Sequence, residues 1–188
     1  MNLRPALFLD RDGVINEEVD YLWTWDRCRF VDGIVSLLRT AHRQGYFVAV
    51  VTNQAGIGRG MYTEEDFHRL MERMAEELAK HDVHFDAVYF SPFHPIHGLG
   101  DYKRETDCRK PGPGMMLRAA EEHGLDLPRS ILVGDRCTDI LAGAAAGIGH
   151  LYLFGTTESD ACEGVSYIPV NSFEAIEKQL LSSPFGAL

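Results

Sequence analysis

Two carboxylates, Asp10 and Asp12, directly follow a short apolar run, and their type and spacing indicate chemistry. The run Ala6–Leu9 stops at Asp10-Arg11-Asp12-Gly13, which is typical of a buried strand that ends abruptly. Where the chain leaves strand geometry, both acids can point toward one spot. Two negative charges so close are costly unless a cation joins them or one holds a proton. The pair therefore indicates a hard divalent metal, or a nucleophile beside a proton donor.

Other segments of the chain carry polar residues that complement this pair. Thr52 and Asn53 end a second apolar run, Asp135 and Asp139 follow another, and Lys110 precedes a predicted helix. The carboxylates can hold Mg²⁺ and supply a nucleophile, the threonine can donate hydrogen bonds, and the lysine can neutralise an anion. This set suits phosphoryl transfer, where positioning and charge stabilisation dominate the barrier. For Asp139, capping of the helix that begins near it and support of the site are both open.

The elements that must position these residues alternate in type along the chain. Strands are predicted over 6–9, 46–51, 87–90, 131–133 and 151–154, and helices over 34–44, from the Thr63 cap to Leu78, and over 115–123, 139–146 and 172–181. This rhythm predicts an α/β fold with a mostly parallel sheet and helices on both faces. Ligands bind beyond the carboxyl ends of such strands, so we expect the polar residues to meet at that edge.

Composition limits the classes of partner. The chain has 188 residues and a formal charge of −10, which argues against nucleic acid because a phosphate backbone needs a basic surface. No apolar stretch has the length of a membrane span and the first residues show no signal-peptide pattern, so we expect a cytoplasmic protein. Nothing demands more than a monomer. The cysteines are widely spaced without a CxxC pair and are interpreted as reduced thiols: Cys28, Cys108, Cys137 and Cys162.

Four segments match, in order, the four motifs of the haloacid dehalogenase superfamily of phosphotransferases. Asp10–Val14 resembles the first motif, Thr52-Asn53 the second, Lys110 the third and Gly134–Asp139 the fourth. The resemblance implies a single domain over 1–188: a Rossmann-like three-layer sandwich with a minimal cap. With so small a cap, the site is expected to be open.

A narrower resemblance covers roughly residues 5 to 180. The segments 8–16, 51–60 and 107–111 are similar to those of the D-glycero-D-manno-heptose 1,7-bisphosphate 7-phosphatases. The resemblance implies Mg²⁺-dependent removal of the 7-phosphate during assembly of activated heptose for the lipopolysaccharide core. A histidinol-phosphate phosphatase of histidine biosynthesis is the alternative within this class. A non-catalytic binding protein on the same fold is the alternative from another class.

The resemblance also implies a role for each matching residue. Asp10 is expected to attack phosphorus and become an aspartyl phosphate, while Asp12 protonates the leaving oxygen and then activates water. Mg²⁺ is expected on the Asp10 carboxylate, the Asp12 backbone carbonyl and Asp135. Thr52 and Lys110 are expected to hold the phosphoryl oxygens.

Substrate contacts are implied around this centre. Asn53, Gln54 and Ala55 are expected to line the sugar site beside Thr52. Two arginines, Arg109 and Arg136, are expected to meet the distal phosphate, since a guanidinium can bind phosphate through two parallel hydrogen bonds. The segment from Glu18 to Tyr21 stands where the family has a further substrate-contacting stretch.

The chain departs from many relatives in the loop 91–109. Those relatives bind zinc there through a Cys-x-His and a Cys-x-Cys pattern, whereas the corresponding positions here are Ser91, Phe93, Thr106 and Cys108. Because tetrahedral zinc needs four soft or borderline ligands, no zinc is expected in this loop. We expect packing of Phe93, Pro95 and Tyr102 to hold the loop instead.

Overall fold

A central sheet of six parallel strands carries the candidate site. The computed structural model describes residues 3–155, 162 and 164–183. The strands are β1 (Ala6–Leu9), β2 (Phe47–Asn53), β3 (Ala87–Ser91), β4 (Ile131–Gly134), β5 (His150–Phe154) and β6 (Ile168–Val170). Their order across the sheet is β3-β2-β1-β4-β5-β6. The predicted α/β fold with a parallel sheet is therefore confirmed, and β1 lies in its middle.

Helices connect the strands and cover both faces of the sheet. They are α1 (Ile34–Arg43), α2 (Ala55–Gly58), α3 (Glu64–Ala79), α4 (Gly114–His123), α5 (Cys137–Ala146) and α6 (Glu174–Ser182). The predicted cap of α3 is present as a reciprocal pair: Thr63 Oγ1 accepts from the backbone N–H of Asp66, and the Asp66 carboxylate accepts from that of Thr63. Among the described residues, no helix is both long and apolar enough to cross a membrane.

Alternation along β1 divides the core into two layers. Leu7 and Leu9 pack into the larger cluster, formed with α1, α3 and α6, while Ala6 and Phe8 pack into the cluster formed with α4 and α5. All four side chains are fully buried. A strand covered on both faces explains why this segment is a continuous apolar run.

The elements differ from the prediction in several details, among them the unpredicted helix α2 and the end of β2, which is at Asn53 instead of residue 51. The short strand β6 was not predicted, because Pro169 lacks a ladder donor and so argues against a strand; it is accepted here at the edge of the described sheet. Helix α5 begins two residues earlier than predicted, at Cys137. The helix predicted from 172 begins at Glu174.

The prediction of four reduced thiols is wrong for two of them. Cys137 and Cys162 form a disulfide, whereas Cys28 and Cys108 are free. The two paired cysteines are 25 positions apart in sequence, and the fold brings their Cα atoms to 5.2 Å, within disulfide range. Sequence spacing carries no information on this approach because the intervening chain includes α5 and β5.

Candidate active site

The predicted polar residues come together in one cavity at the carboxyl edge of the sheet. Asp10 follows β1, Thr52 and Asn53 end β2, and Asp135 follows β4, so adjacent strands deliver them side by side. The cavity has a volume of about 360 Å³. The predicted site residues that line it are Asp10, Asp12, Glu18, Tyr21, Thr52, Asn53, Gln54, Ala55, Arg109, Lys110, Asp135 and Arg136.

Lys110 lies at the bottom of the site in a fully hydrogen-bonded position. Its Nζ is 3.0 Å from Asp10 Oδ1 and 2.7 Å from Asp139 Oδ1, and it donates to the backbone carbonyl of Val51 at 2.7 Å. Burial opposes the charge on this lysine, but Asp10 and Asp139 outweigh it and raise its pKa to about 12. Lys110 is therefore a permanent cation beside Asp10.

Asn53 holds the backbone of Lys110 in place. Its side-chain amide donates to the Lys110 carbonyl and accepts from the Lys110 N–H, both at 3.0 Å. This reciprocal pair joins the end of β2 to the segment before α4. The side chain of Asn53, predicted to contact sugar, thus makes its two hydrogen bonds to the protein, although the residue lines the cavity.

Asp139 both caps a helix and completes the lysine site. Its Oδ2 accepts from the backbone N–H of Arg136 at the start of α5, while its Oδ1 binds Lys110. The close packing of Gly134 explains how it reaches both: a Cβ there would lie 2.2 Å from Asp139 Cβ. The two interpretations left open for Asp139 are therefore compatible.

Three acids form a cluster that fits a hard divalent cation. One carboxylate oxygen from each of Asp10, Asp135 and Asp139 lies within 4.8 Å of the others. Since Asp139 is engaged by Lys110, Asp10 and Asp135 remain as ligands. Asp135 Oδ1 is buried and has no hydrogen-bond partner in the part of the chain that the structure describes. Such an oxygen is costly unless a cation binds it, and oxygen donors suit Mg²⁺.

The protonation of these acids reflects the same crowding. Burial, followed by repulsion from Asp139 and Asp12, raises the pKa of Asp10 to about 6, although Lys110 acts in the opposite direction. Burial and the charges of Asp10 and Asp139 raise the pKa of Asp135 to about 7. A bound cation would remove this repulsion and favour the ionised forms.

Gly13 makes room for Asp135. Its φ is +81°, a left-handed conformation that favours glycine, and a Cβ there would lie 2.4 Å from Asp135 Oδ2. Gly13 of the first motif therefore leaves the space that Asp135 of the fourth motif occupies.

Asp12 is held by a separate set of donors. Arg11 contacts both Asp12 oxygens through Nη2 at 2.8 and 2.9 Å, and Asn16 Nδ2 donates to Oδ1 at 3.1 Å. Arg11 is itself only 1% exposed, and its Nη2 also donates to the carbonyl of Leu22. Asp10 and Asp12 thus have different neighbours, which allows them different roles. Neither Arg11 nor Asn16 was predicted as a site residue, although both belong to the segment 8–16 that carries the family resemblance.

Gln54 joins Asp12 to Thr52. Its Nε2 donates to Asp12 Oδ2 at 3.1 Å and to Thr52 Oγ1 at 2.9 Å, and its Oε1 accepts from the hydroxyl of Tyr62 at 2.6 Å. Burial raises the pKa of Tyr62 to about 12, so this phenol keeps its proton. Gln54, predicted to contact sugar, is 1% exposed and fixes two predicted catalytic side chains.

Arginines stand around the mouth of the cavity. Arg109 donates to the carbonyl of Phe93 at 3.1 Å, and Arg136 lies 3.5 Å from Glu18 Oε1 and 3.8 Å from Asp135 Oδ2. Burial lowers the pKa of Arg109. The pKa of Glu18 is raised, mainly by burial and next by the charge of Asp12. In a chain of charge −10, the cavity is thus lined by two arginines in addition to Lys110.

Arg59 and His94 are among the lining residues that were not predicted. Arg59 donates to the hydroxyl of Tyr21 and lies over its ring, with the guanidinium carbon 5.5 Å from the centroid. Tyr21 has a φ of 51° and is 37% exposed. His94 also lines the cavity. Arg59 belongs to the segment 51–60 that carries the family resemblance, which is the signal that could have identified it.

The loop 91–109 is held by polar contacts as well as packing. Thr106 Oγ1 lies 3.0 Å from Cys108 Sγ, which donates to Ser91 Oγ at 3.6 Å. The rings of Phe93 and Tyr102 are 6.0 Å apart, and Tyr102 OH donates to Glu64 at 2.8 Å. Three of the four positions that correspond to zinc ligands in relatives therefore meet one another here.

Comparisons with known proteins agree on one class of enzyme. A family model described as HAD-hydrolase-like matches residues 107–176. D-glycero-alpha-D-manno-heptose-1,7-bisphosphate 7-phosphatase of Burkholderia mallei is 52% identical over 148 residues, 79% of this chain and 78% of that protein. D-glycero-beta-D-manno-heptose-1,7-bisphosphate 7-phosphatase of Vibrio cholerae is 39% identical over 180 residues, 95% of this chain and 97% of that protein.

One of the similar solved structures contains bound ligands. The crystal structure of D,D-heptose 1,7-bisphosphate phosphatase from B. bronchiseptica, complexed with magnesium and phosphate, aligns with a TM-score of 0.80 and 28% sequence identity. The alignment covers 95% of this chain and 98% of that one.

Proposed function

The chain belongs to the haloacid dehalogenase-like phosphatases, in the group of the heptose 1,7-bisphosphate 7-phosphatases, and from this membership we propose its reaction. It removes the 7-phosphate of D-glycero-D-manno-heptose 1,7-bisphosphate, in the route to activated heptose for the lipopolysaccharide core. The observation that carries the proposal is the contact of Asp10 with Lys110 at 3.0 Å beside the unpartnered oxygen of Asp135. A nucleophile, a fixed cation and a metal ligand meet there.

The first step forms a covalent intermediate on Asp10. Arg11 N and Lys110 Nζ both contact Oδ1 of Asp10, at 2.7 and 3.0 Å, so Oδ2 is the oxygen that attacks phosphorus. The bond between phosphorus and the 7-oxygen breaks, and Asp12 gives its proton to that oxygen. Arg11, Asn16 and Gln54 fix the orientation of the Asp12 carboxyl group, which a group that transfers protons at a set position requires.

The second step returns the enzyme to its starting state. Asp12 takes a proton from water, the water oxygen attacks phosphorus, and the bond to Asp10 breaks to release inorganic phosphate. Lys110 and Thr52 hold the phosphoryl oxygens through both steps. Asp10, Asp135 and the backbone carbonyl of Asp12 would hold Mg²⁺. When bound, this ion offsets the repulsion between the carboxylate and the phosphate.

The distal phosphate is recognised at the mouth of the cavity by Arg109 and Arg136. Their positions on either side of the catalytic acids support this role, since each lines the cavity. Asn53 and Gln54 shape the sugar site from beneath by fixing Lys110 and Asp12. Glu18, Tyr21 and Ala55 complete its lining.

The test is phosphate release with Mg²⁺ from a panel of substrates: both anomers of the heptose bisphosphate, hexose phosphates and histidinol phosphate. We expect the heptose bisphosphate to be the best substrate and phosphorus NMR of the product to show that the 1-phosphate remains. Asp10→Asn should lower kcat by at least ~10⁴-fold.

Each alternative outcome has a definite meaning. Preference for histidinol phosphate would overturn the substrate assignment but not the mechanism. Turnover that is undiminished in Asp10→Asn would overturn the mechanism. Binding of heptose bisphosphate without turnover would identify a non-catalytic binding protein.

A further inference from the structure

A second group of metal-ligating side chains lies at the opposite edge of the sheet from the candidate active site. It consists of His42 near the end of α1, with His84 and Asp86 in the segment before β3. Asp86 contacts the first residues of β2: its backbone N–H donates to the carbonyl of Val48, and its Oδ2 accepts from the Val48 N–H. The catalytic residues stand at the other end of β2, so this group, here called the His-His-Asp cluster, is separate.

The atoms of the cluster have the arrangement of metal ligands. One ligand atom from each of His42, His84 and Asp86 lies within 4.8 Å of the other two. His84 Nε2 is 3.5 Å from Asp86 Oδ1, which is longer than a normal hydrogen bond. It is close to the roughly 3.3 Å that separates two ligands of tetrahedral zinc with bonds of about 2.0–2.1 Å.

His42 presents a nitrogen without a partner. Its Nε2 is buried and makes no hydrogen bond to any described residue. The imidazoles of His42 and His84 stack with 4.3 Å between their centroids, so the two rings lie side by side.

Asp86 also keeps one carboxylate oxygen near the two histidines. The hydrogen bond from Val48 N, at 2.7 Å, occupies Asp86 Oδ2 and leaves Oδ1 toward His84. Burial, followed by the neighbouring His84, lowers the pKa of His42, which favours its neutral imidazole. The positive charge of Arg4, on a neighbouring segment, also lowers the pKa of His42. The Arg4 side chain donates to the carbonyls of Gly45 and Tyr46.

We propose that His42, His84 and Asp86 form a binding site for one divalent transition-metal ion of the zinc class, with water completing its coordination. Two imidazole nitrogens and one carboxylate oxygen are the ligands that zinc accepts, whereas Mg²⁺ prefers oxygen alone. The ion would link the end of α1 to the connection between α3 and β3. The catalytic residues are at the other end of the strands, so the ion would stabilise the fold and would not take part in catalysis.

The test is Zn²⁺ binding by isothermal titration calorimetry, with excess Mg²⁺ present so that the catalytic acids are occupied. We expect one zinc site in the native protein that weakens by at least ~100-fold in His84→Ala. Asp86→Asn should lose the same site while it keeps the hydrogen bond to Val48. The matched control is His81→Ala, an exposed histidine on the same connection that has no part in the cluster.

A measurement of Tm checks whether the bound ion stabilises the fold. Zinc at about 100 times its Kd should raise the Tm of the native protein and of His81→Ala by roughly 5 °C or more, and that of His84→Ala by much less. Two results would overturn the proposal. One is zinc binding in His84→Ala and Asp86→Asn that equals the native protein; the other is a loss of zinc in His81→Ala as large as in His84→Ala.

Discussion

Asp10 and Asp12 are only two residues apart, yet almost everything that surrounds them differs. Asp10 lies against Lys110 and among other carboxylates, whereas Asp12 lies among neutral and cationic donors. In the proposed mechanism, the same side-chain chemistry is thereby divided between a metal-bound nucleophile and a proton carrier. The division depends on residues such as Arg11 and Gln54, which no spacing rule identifies.

Removal of the Lys110 charge should affect both catalysis and folding. Lys110→Met leaves Asp139 buried with an unpaired charge, so we expect a loss of about 3–5 kcal/mol in the free energy of unfolding. The kcat should fall by at least ~10²–10³-fold, since the cation no longer stabilises the phosphoryl oxygens. Urea denaturation and steady-state phosphate release measure the two effects.

Two further variants separate these effects. Lys103→Met removes an exposed lysine and should change neither quantity. The double change Lys110→Met with Asp139→Asn should recover part of the stability but none of the activity. A double variant that regained activity would show that Lys110 serves only to neutralise Asp139.

The raised pKa values of Asp10 and Asp135 predict a pH-dependent response to Mg²⁺. Both values, about 6 and about 7, exceed the ordinary 3.8. The folded protein therefore binds protons more tightly than the unfolded chain, and metal-free stability is greatest below about pH 4 for these groups and is lost as the pH rises through about 6–7. Mg²⁺ needs the ionised carboxylates and so reverses this trend.

We accordingly expect excess Mg²⁺ to raise the Tm strongly at about pH 8 and hardly at all at about pH 5. Differential scanning fluorimetry at both pH values measures this difference. Asp135→Asn, which lacks one ligand, should show little Mg²⁺ response at either pH. An equal Tm increase at both pH values in the native protein would contradict the prediction.

Among the elements, the turn after β1 has the strictest steric requirement. Gly13→Ala would strain a φ of +81° and drive a Cβ into the Asp135 carboxylate. We expect a cost of about 1–3 kcal/mol in stability and a large loss of Mg²⁺ affinity, because the displaced side chain is a ligand. Chemical denaturation and Mg²⁺ titration of activity measure the two.

Gly155→Ala is the matched control for backbone strain. Its φ is +75°, but a Cβ there has no heavy atom within 4 Å. It should lose stability to a similar strain while Mg²⁺ affinity stays unchanged. If both variants retained native Mg²⁺ affinity, Gly13 would be needed only for the backbone conformation of the turn and not for the position of Asp135.

The strands of the sheet differ in how well the sequence predicts them. Strands β1 to β5 were predictable because each is an apolar run, and the catalytic edge followed from their parallel order. Strand β6 was not, since its Pro169 contradicts the usual signal and only an edge position accommodates it. The contact of Asp139 with Arg136 N is the helix cap that the sequence allowed, whereas its pairing with Lys110 required three-dimensional coordinates because Lys110 is on another segment.

For the whole molecule, the Cys137–Cys162 disulfide ties α5, which follows the metal ligand Asp135, to the chain beyond β5. A cross-link over 25 positions should stabilise the fold by about 3.5 kcal/mol through the entropy of the unfolded chain. Cys162→Ala should therefore lower the Tm by several degrees, as calorimetry would show. Under a reducing agent, the native protein should fall to the same Tm while the variant is unaffected. Equal Tm values with and without the reductant in the native protein would contradict this.

The position of β1 in the middle of the sheet has a consequence for biosynthesis. One edge of β1 pairs with β2 and the other with β4, and the backbone N–H of Ala6 donates to Ser130 Oγ, 124 positions later. At about 5–20 residues per second, the ribosome needs roughly 6–25 s to make that stretch. Throughout this interval the nascent chain carries an apolar strand with an open edge, which is the kind of surface that chaperones shield. Asp10 is made well before Lys110 and Asp135, so the candidate site can assemble only after translation has passed β4.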